Sequence, residues 1–378
     1  MTNPILPGAT LGVLGSGQLG RMFAIAARRL GYRVHVYSPD VSTPAGQVSD
    51  REFSAAYNDL EQLAEFARSV DVVTFEFENV PAAATDCIQK YCPVHPSKDV
   101  LSVAQNRIRE KLTLRDAGLA VPRFCEVTTA EELRAAVLEL GVPSVVKTAS
   151  SGYDGKGQAV LHNVGQVEEI WAELATNQAI LEQFVDFDCE LSVVGARNSR
   201  GEIVHYGPFL NTHTDHILDV TICPSGLATD VDARAIDVAH QVFDCLDVVG
   251  VLCVELFVTK DGQILINEIA PRPHNSGHLT IDAHNTCQFE QQVRAICGLP
   301  LGDTTQHTNA AMANILGDVW NDVDPNWSAL LATDVKLHLY GKVEARPGRK
   351  MGHITAFGNS INDADRAVRE ARDSLLNK

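Results

Sequence analysis

No run of apolar residues in this 378-residue sequence approaches the roughly 18 to 20 needed to cross a bilayer. The opening MTNPILPGAT lacks the basic region and apolar stretch of a signal peptide. A membrane partner is therefore not expected, and a cytoplasmic location is. Close cysteine pairs are missing too: the nine cysteines are odd in number and scattered, and the nearest two are Cys87 and Cys92. That excludes a CxxC motif and speaks for free thiols rather than a disulfide or zinc framework. Basic residues are few, 31 Lys and Arg against 48 Asp and Glu, for a net charge of −17. Such a field repels nucleic acid and anionic lipid, so an anionic substrate must find a local basic cluster. With only 16 prolines, 21% charged residues and 45% hydrophobic ones, the chain is neither disordered nor collagenous. At about 150 residues per domain, its length suggests two or three domains.

The first hundred residues alternate β-like runs with helical patterns: LGVLG at 11–15, a helix over 18–30, a strand over 32–37, a helix over 60–70 and a strand over 72–77. That is the βαβ rhythm of a parallel sheet with helices on its faces. A long polar helix is predicted over 98–117, stopped by Gly118 and Pro122, with the first domain boundary near Asn106. Beyond Pro122 the strands come in antiparallel-looking pairs, 144–148 and 158–162, then 179–184, 189–196 and 203–209. One helix is expected to start in a capping box, Thr129 with Glu132, and others are expected over 230–246 and 281–296. The fold class read from this pattern is α/β followed by α+β, in three units: 1–105, 106–303 and a small third region, 304–378.

Gly15-Ser16-Gly17-Gln18-Leu19-Gly20 follows the first apolar strand and opens a helix, and Asp40 ends the next strand. The pattern fits a dinucleotide-binding fingerprint. Physically it says that backbone amides at a helix N-terminus can approach an anion. A tight strand-to-helix turn without any ligand would use the same residues. A nicotinamide-dependent oxidoreductase is one reading of this loop.

Two apolar runs, VLCVELFVT at 251–259 and QILINEI at 263–269, flank Asp261-Gly262, a dipeptide favoured in two-residue type I′ turns. In that register Glu255 faces Glu268, with Cβ atoms roughly 5 Å apart. A three-residue bulged loop would put Asn267 opposite Glu255 instead. Facing carboxylates repel one another, and a divalent cation between them removes the repulsion. Hard oxygen ligands favour Mg²⁺, which usually shares its shell with substrate phosphates. Two acids on an exposed sheet face, one of them protonated, is the alternative. The APRPHNSGH segment at 270–278 holds two prolines and a glycine, so His274 and His278 are not a helical zinc pair. Arg272, His274 and Asn275 on this stiff loop read as an anion site, or as incidental polar residues of a surface loop.

Lys147 ends an apolar strand, and SSGYDGKGQ at 150–158 follows, a glycine loop suited to closing over phosphates but without Walker spacing. The segment 179–185 offers an edge that can pair its backbone with adenine, with Glu182 and Glu190 able to hold ribose hydroxyls. Taken singly, either glutamate reads better as a surface acid beside a core strand. Near the C-terminus, KVEARPGRK at 342–350 sets Lys342, Arg346, Arg349 and Lys350 against Glu344. Such a patch can meet a dianionic phosphate, or be a solvated basic turn.

The order of these elements resembles the ATP-grasp superfamily: Lys147, glycine loop, Glu182-to-Glu190 segment, Glu255, Asn267-Glu268, then an Arg/His loop. Narrower motifs are GSGQLGRM at 15–22, TFEFENVP at 74–81, QNRIREK at 105–111, GYDGKGQ at 152–158, NEIAPRPHNSGH at 267–278 and RPGRKMGH at 346–353. Together they are similar to the N5-carboxyaminoimidazole ribonucleotide synthetase family of purine biosynthesis. The resemblance implies an ATP-grasp fold with a Rossmann-like N-terminal domain and a small C-terminal domain. It implies an ATP-dependent carbon–nitrogen ligase that joins bicarbonate to 5-aminoimidazole ribonucleotide through carboxyphosphate, releasing ADP and phosphate. ATP contacts are then expected from Arg107, Lys147, Gly152, Lys156, Gly157, Gln158, Glu182, Phe184, Val185, Glu190 and Asn267, and Mg²⁺ ligation from Glu255 and Glu268. Bicarbonate falls to Arg272, His274 and Asn275. The ribonucleotide falls to Gly17, Gln18, Leu19, Glu76, Tyr153, Asp154, Lys342 and Arg349. A homodimer, and hand-over of the product to an N5-carboxyaminoimidazole ribonucleotide mutase, are implied as well. The rival readings are another ATP-grasp ligase, such as the formate-dependent glycinamide ribonucleotide transformylase, the oxidoreductase, and a non-catalytic ATP-binding protein.

Overall fold

The computed structural model describes residues 3–150, 157–320 and 324–376. Its first sheet is parallel, formed by β1 (Thr10–Leu14), β2 (Arg33–Ser38), β3 (Arg51–Ser54) and β4 (Val72–Phe75) in the order β3-β2-β1-β4. The expected βαβ rhythm is there. β3 is an addition that the pattern did not reveal, because REFS has a single apolar residue and pairs only at the sheet edge.

A second, antiparallel sheet holds β5 (Phe124–Val127), β6 (Ser144–Thr148), β7 (Gln158–Leu161) and β8 (Ala179–Gln183), in the order β5-β8-β6-β7. The third contains β9 (Phe187–Arg197), β10 (Ile203–Thr214), β11 (Ile217–Cys223), β12 (Gly250–Thr259), β13 (Ile264–Ala270), β14 (Asn309–Leu316), β15 (Val335–Leu339) and β16 (Lys350–Gly358). Its order, β13-β12-β9-β10-β11-β14-β16-β15, makes the C-terminal strands a continuation of this sheet, where the sequence suggested a region apart. β14 and β16 are covered by the helix Ile361–Asp373, whose Ala364, Val368 and Ala371 join Ala311, Ile315 and Ile354 in one apolar cluster. The helix Gln288–Ile296 bridges the sheets: Phe289, Val293 and Ile296 pack with Leu11, Val13 and Phe23 of the first domain. This packing fixes the N-terminal glycine loop relative to the large sheet.

Three local readings are corrected. The helix over 98–117 is two helices, Lys98–Ala104 and Arg107–Asp116. Asn106 separates them, its extended backbone (φ −138°) letting the side chain accept from the N–H groups of Ile108 and Arg109. The helix over 281–296 shrinks to a single turn, Thr280–Ala283, and Gln288–Ile296, because His284 pairs with Gln306 as an isolated bridge and Cys287 caps the second piece. At Thr129 the hydroxyl does accept from Glu132 N, but the Glu132 carboxylate returns to Thr128 rather than Thr129, so the reciprocal box is displaced by one residue.

Candidate active site

The β12–β13 hairpin reaches the expected pairing by an unexpected route. Its loop has three residues, Lys260, Asp261 and Gly262, closed by Thr259 N to Gln263 O at 2.9 Å, with Gly262 at φ +79°. That loop alone would set Asn267 against Glu255. A bulge at Asn267 adds the missing residue, so Leu256 pairs with Ile266 while Glu255 still pairs with Glu268. The bulge turns two backbone carbonyls inward: Lys111 Nζ donates to Ile266 O at 3.0 Å and to Asn267 O at 2.5 Å.

Both glutamates lie against nitrogen groups of the chain. Glu255 Oε1 lies 3.1 Å from His274 Nε2, and Glu268 Oε2 accepts from Arg107 at 2.7 Å. Burial would raise the Glu268 carboxyl, but Arg107, then Lys147 and His274, pull it down to about 2. Lys147 donates to Glu182 Oε2 at 2.7 Å, and Lys111 lies 3.7 Å from the other oxygen. Glu182 is buried, not a surface acid. Despite burial, Lys111 and Lys147 hold it at about 2. Glu190 meets His213 Nδ1 at 2.7 Å, and that bond outweighs burial to raise the imidazole.

The anion loop after β13 is just as specific. Arg272 forms a two-point ion pair with Glu78, Nε to Oε2 at 2.7 Å and Nη2 to Oε1 at 3.1 Å. Burial would raise the Glu78 carboxyl, and Arg272 outweighs it and holds it below the usual range. Asn275 is buried with neither amide atom partnered, and Asn267 Oδ1 is likewise buried without a partner. Unsatisfied buried polar atoms are costly, so these two side chains, on either side of Arg272 in the chain, are open to a ligand's hydrogen bonds.

Two residues before Glu78, Glu76 enters the N-terminal glycine loop. Its carboxylate accepts from Gly17 N and, at 2.6 Å, from Gly20 N. A Cβ on Gly15, at φ +102°, would overlap the Glu76 side chain, so the loop must be glycine there. The helix N-terminus thus already faces a carboxylate from its own chain. Burial raises the Glu76 carboxyl, opposed by the Gly20 and Gly17 amides and by nearby Arg272 and Lys342. Lys342 donates to Gln18 Oε1 at 2.5 Å, tying the C-terminal basic segment to the glycine loop, while Leu19 packs on the first domain's core. Arg349 donates to Glu344 O at 2.7 Å within its own segment.

Phe184 is exposed after β8, with half-buried Val185 next to it, and Gly157 (φ +71°) precedes Gln158, which starts β7 beside Lys147. Gly152, Tyr153, Asp154 and Lys156 lie outside the described residues. Gly17, Glu76, Lys342, Arg272, His274, Glu255, Glu268, Arg107 and Lys147 are linked in one connected region, a set that does not include Phe184, Val185 or Arg349. Sequence reasoning assigned no role to Glu78, Glu110, Lys111, Ser276 or His213. A signal for two of them existed: Arg107, Glu110, Lys111 and Leu114 recur at i, i+3, i+4 and i+7, so charges occupy the face a helix normally buries. Glu110 and Lys111 are 3% and 1% exposed.

This geometry can be set beside known proteins. An ATP-grasp domain model matches residues 112–289, a ribonucleotide synthetase preATP-grasp domain 8–105, and a phosphoribosylaminoimidazole carboxylase C-terminal domain 310–367. The N5-carboxyaminoimidazole ribonucleotide synthase of Bacillus subtilis is 43% identical over 351 residues, 93% of this chain and 92% of the relative. The chain belongs to the N5-carboxyaminoimidazole ribonucleotide synthase family. Another member, from Pseudomonas aeruginosa, is 41% identical over 96% of this chain and 97% of its own. The crystal structure of a family member from Aspergillus clavatus, in complex with ADP and 5-aminoimidazole ribonucleotide, superposes with a TM-score of 0.89 at 29% identity, over 97% of this chain and 98% of that one. Family membership makes the chain an ATP-grasp ligase and removes the oxidoreductase reading of the glycine loop, whose amides face Glu76.

Proposed function

We propose that this chain carboxylates 5-aminoimidazole ribonucleotide with bicarbonate at the expense of ATP, and that the residues gathered between the first and third sheets divide the work. The observation that carries the reading is 43% identity to a synthase of this activity across 93% of the chain, together with the convergence of Glu76, Arg272, His274, Glu255 and Glu268 in one region. A bicarbonate oxygen attacks the γ-phosphorus, ADP leaves, and the exocyclic amine then attacks the carboxyl carbon of carboxyphosphate, expelling phosphate and losing a proton. Lys147 and Arg107 steady the ATP phosphates; Phe184, Val185 and Glu190 take the nucleoside. Arg272, His274 and Asn275 hold bicarbonate, and Glu76, Gln18, Lys342 and Arg349 hold the ribonucleotide.

Glu255, Glu268 and the unpartnered Asn267 Oδ1 form a set of hard oxygen donors that suits Mg²⁺. Among the described residues no group of three or more His, Cys, Asp and Glu is placed for a metal. When bound, the ion would neutralise charge building on the phosphoryl oxygens. The units 1–105, 106–303 and 304–378 act as preATP-grasp, ATP-grasp and C-terminal domains. We further assign the protein to the cytoplasm, as a homodimer that passes its product to a mutase; no described helix is long and apolar enough to cross a membrane.

Three substitutions separate the roles. Arg272→Lys removes a planar fork that a lysine cannot reproduce, including both bonds to Glu78. Bicarbonate-dependent ADP release should fall while ATP binding, measured separately, persists; equal loss of both would mean that the loop has misfolded. Lys342→Ala and Arg349→Ala should each weaken ribonucleotide binding by roughly tenfold or more, the scale of a charge-assisted hydrogen bond, and added salt should mimic part of the effect. Calorimetry that finds unchanged ribonucleotide affinity in both variants would place the phosphate elsewhere.

A further inference from the structure

Behind His274 a row of buried polar side chains crosses the large sheet. Thr221 Oγ1 donates to Asn211 Oδ1 at 2.9 Å, Asn211 Nδ2 to Ser192 Oγ at 2.9 Å, and Ser192 Oγ to Ser276 Oγ at 2.7 Å. Ser276 Oγ lies 2.8 Å from His274 Nδ1. Strand register builds the row: Thr221 pairs with Asn211 across β11 and β10, and Ser192 on β9 sits directly opposite Glu255 on β12. Thr221, Ser192 and Ser276 are 0% exposed and Asn211 is 6% exposed, so none of them can turn to solvent for a partner.

The amide sets the direction. Asn211 Nδ2 can only donate, so Ser192 Oγ accepts and its one proton passes on to Ser276, whose one proton is left for His274 Nδ1. The backbone N–H of Ser276 also points at Nδ1, at 3.3 Å. Two donors converging on Nδ1 leave the proton of the neutral ring on Nε2, the nitrogen 3.1 Å from Glu255 Oε1.

We propose that Asn211, Ser192 and Ser276 are positioning residues whose one-way hydrogen bonds fix His274 as the Nε2–H tautomer, so that an N–H rather than a lone pair faces the side of the ring where Glu255 lies and where a substrate oxygen would bind. The kinetic part of this inference rests on His274 taking part in the reaction; the tautomer does not. An apolar row would have filled the same space without the desolvation cost of four polar side chains. A fixed tautomer is what the polar row adds.

The test is long-range ¹H–¹⁵N correlation of the histidine rings in ¹⁵N-histidine-labelled protein, with His274 assigned by its loss in His274→Asn. The wild-type ring should be protonated on Nε2. Asn211→Asp replaces the donor by an acceptor of the same shape, so Ser192 and Ser276 turn round, the hydroxyl donor is withdrawn from Nδ1, only the backbone N–H at 3.3 Å still faces it, and the His274 Nδ1 resonance should shift. The kcat should then fall by about tenfold or more with the ATP KM unchanged. If Asn211→Asp fails to fold, Ser276→Ala should shift the His274 Nδ1 resonance and lower kcat in the same way. A wild-type ring protonated on Nδ1, or a His274 pattern unchanged in the folded variant, overturns the proposal. A shifted Nδ1 resonance with normal kcat would uphold the row and instead remove His274 from the reaction.

Discussion

Replacing Glu255 or Glu268 by Gln is expected to lower kcat by more than about a hundredfold, a loss of roughly 3 kcal/mol of transition-state stabilisation. The fold should survive. Glu255 and Glu268 lie outside the apolar clusters, at side-chain exposures of 14% and 36%, and an amide keeps their shape. What changes is charge at the point where His274, Arg107 and Lys147 converge. ADP release and thermal melting, measured on the same preparations, check this. Near-normal activity in both variants, with intact melting, would remove the metal assignment.

Glu182→Ala should produce the largest loss of stability, about 3 to 5 kcal/mol, because it leaves buried charges without their partner. Lys111 is 1% exposed and Lys147 is 9% exposed, and Glu182 is the carboxylate within 4 Å of both. The effect has a pH signature. The Glu182 carboxyl is lowered from its ordinary 4.5 to about 2, so its contribution is fully present above pH 4.5 and is lost as pH falls toward 2. That window is worth up to about 3 kcal/mol. Urea unfolding between pH 6 and roughly 3 should therefore be steeper in pH for the wild type than for Glu182→Gln. Parallel curves would show that the carboxyl is not depressed.

Much of the site was legible because its chemistry lies in short runs. Facing glutamates in an apolar hairpin and an Arg/His loop stiffened by two prolines are both local patterns. Their register survived a wrong turn assignment only because the Asn267 bulge offset the three-residue loop, a compensation that no turn propensity reveals. What could not be read was pairing over long separations. Arg272 finds Glu78 194 residues away, Lys111 reaches β13 across 155 residues, and Lys342 meets Gln18 across 324. Glu182 looked like a surface acid because its partners come from another strand and another helix. The continuous eight-stranded sheet was missed for the same reason, since β11 and β14 are joined by neither a turn nor a repeat.

The coupling of ATP cleavage to bicarbonate is tested most directly with bicarbonate labelled in ¹³C and ¹⁸O. If a bicarbonate oxygen attacks the γ-phosphorus, each released phosphate carries one ¹⁸O and the ¹³C appears bonded to the exocyclic nitrogen of the ribonucleotide, with ADP formed in equal amount. Unlabelled phosphate, or ADP release that proceeds undiminished when bicarbonate is omitted or replaced by formate, would contradict the account.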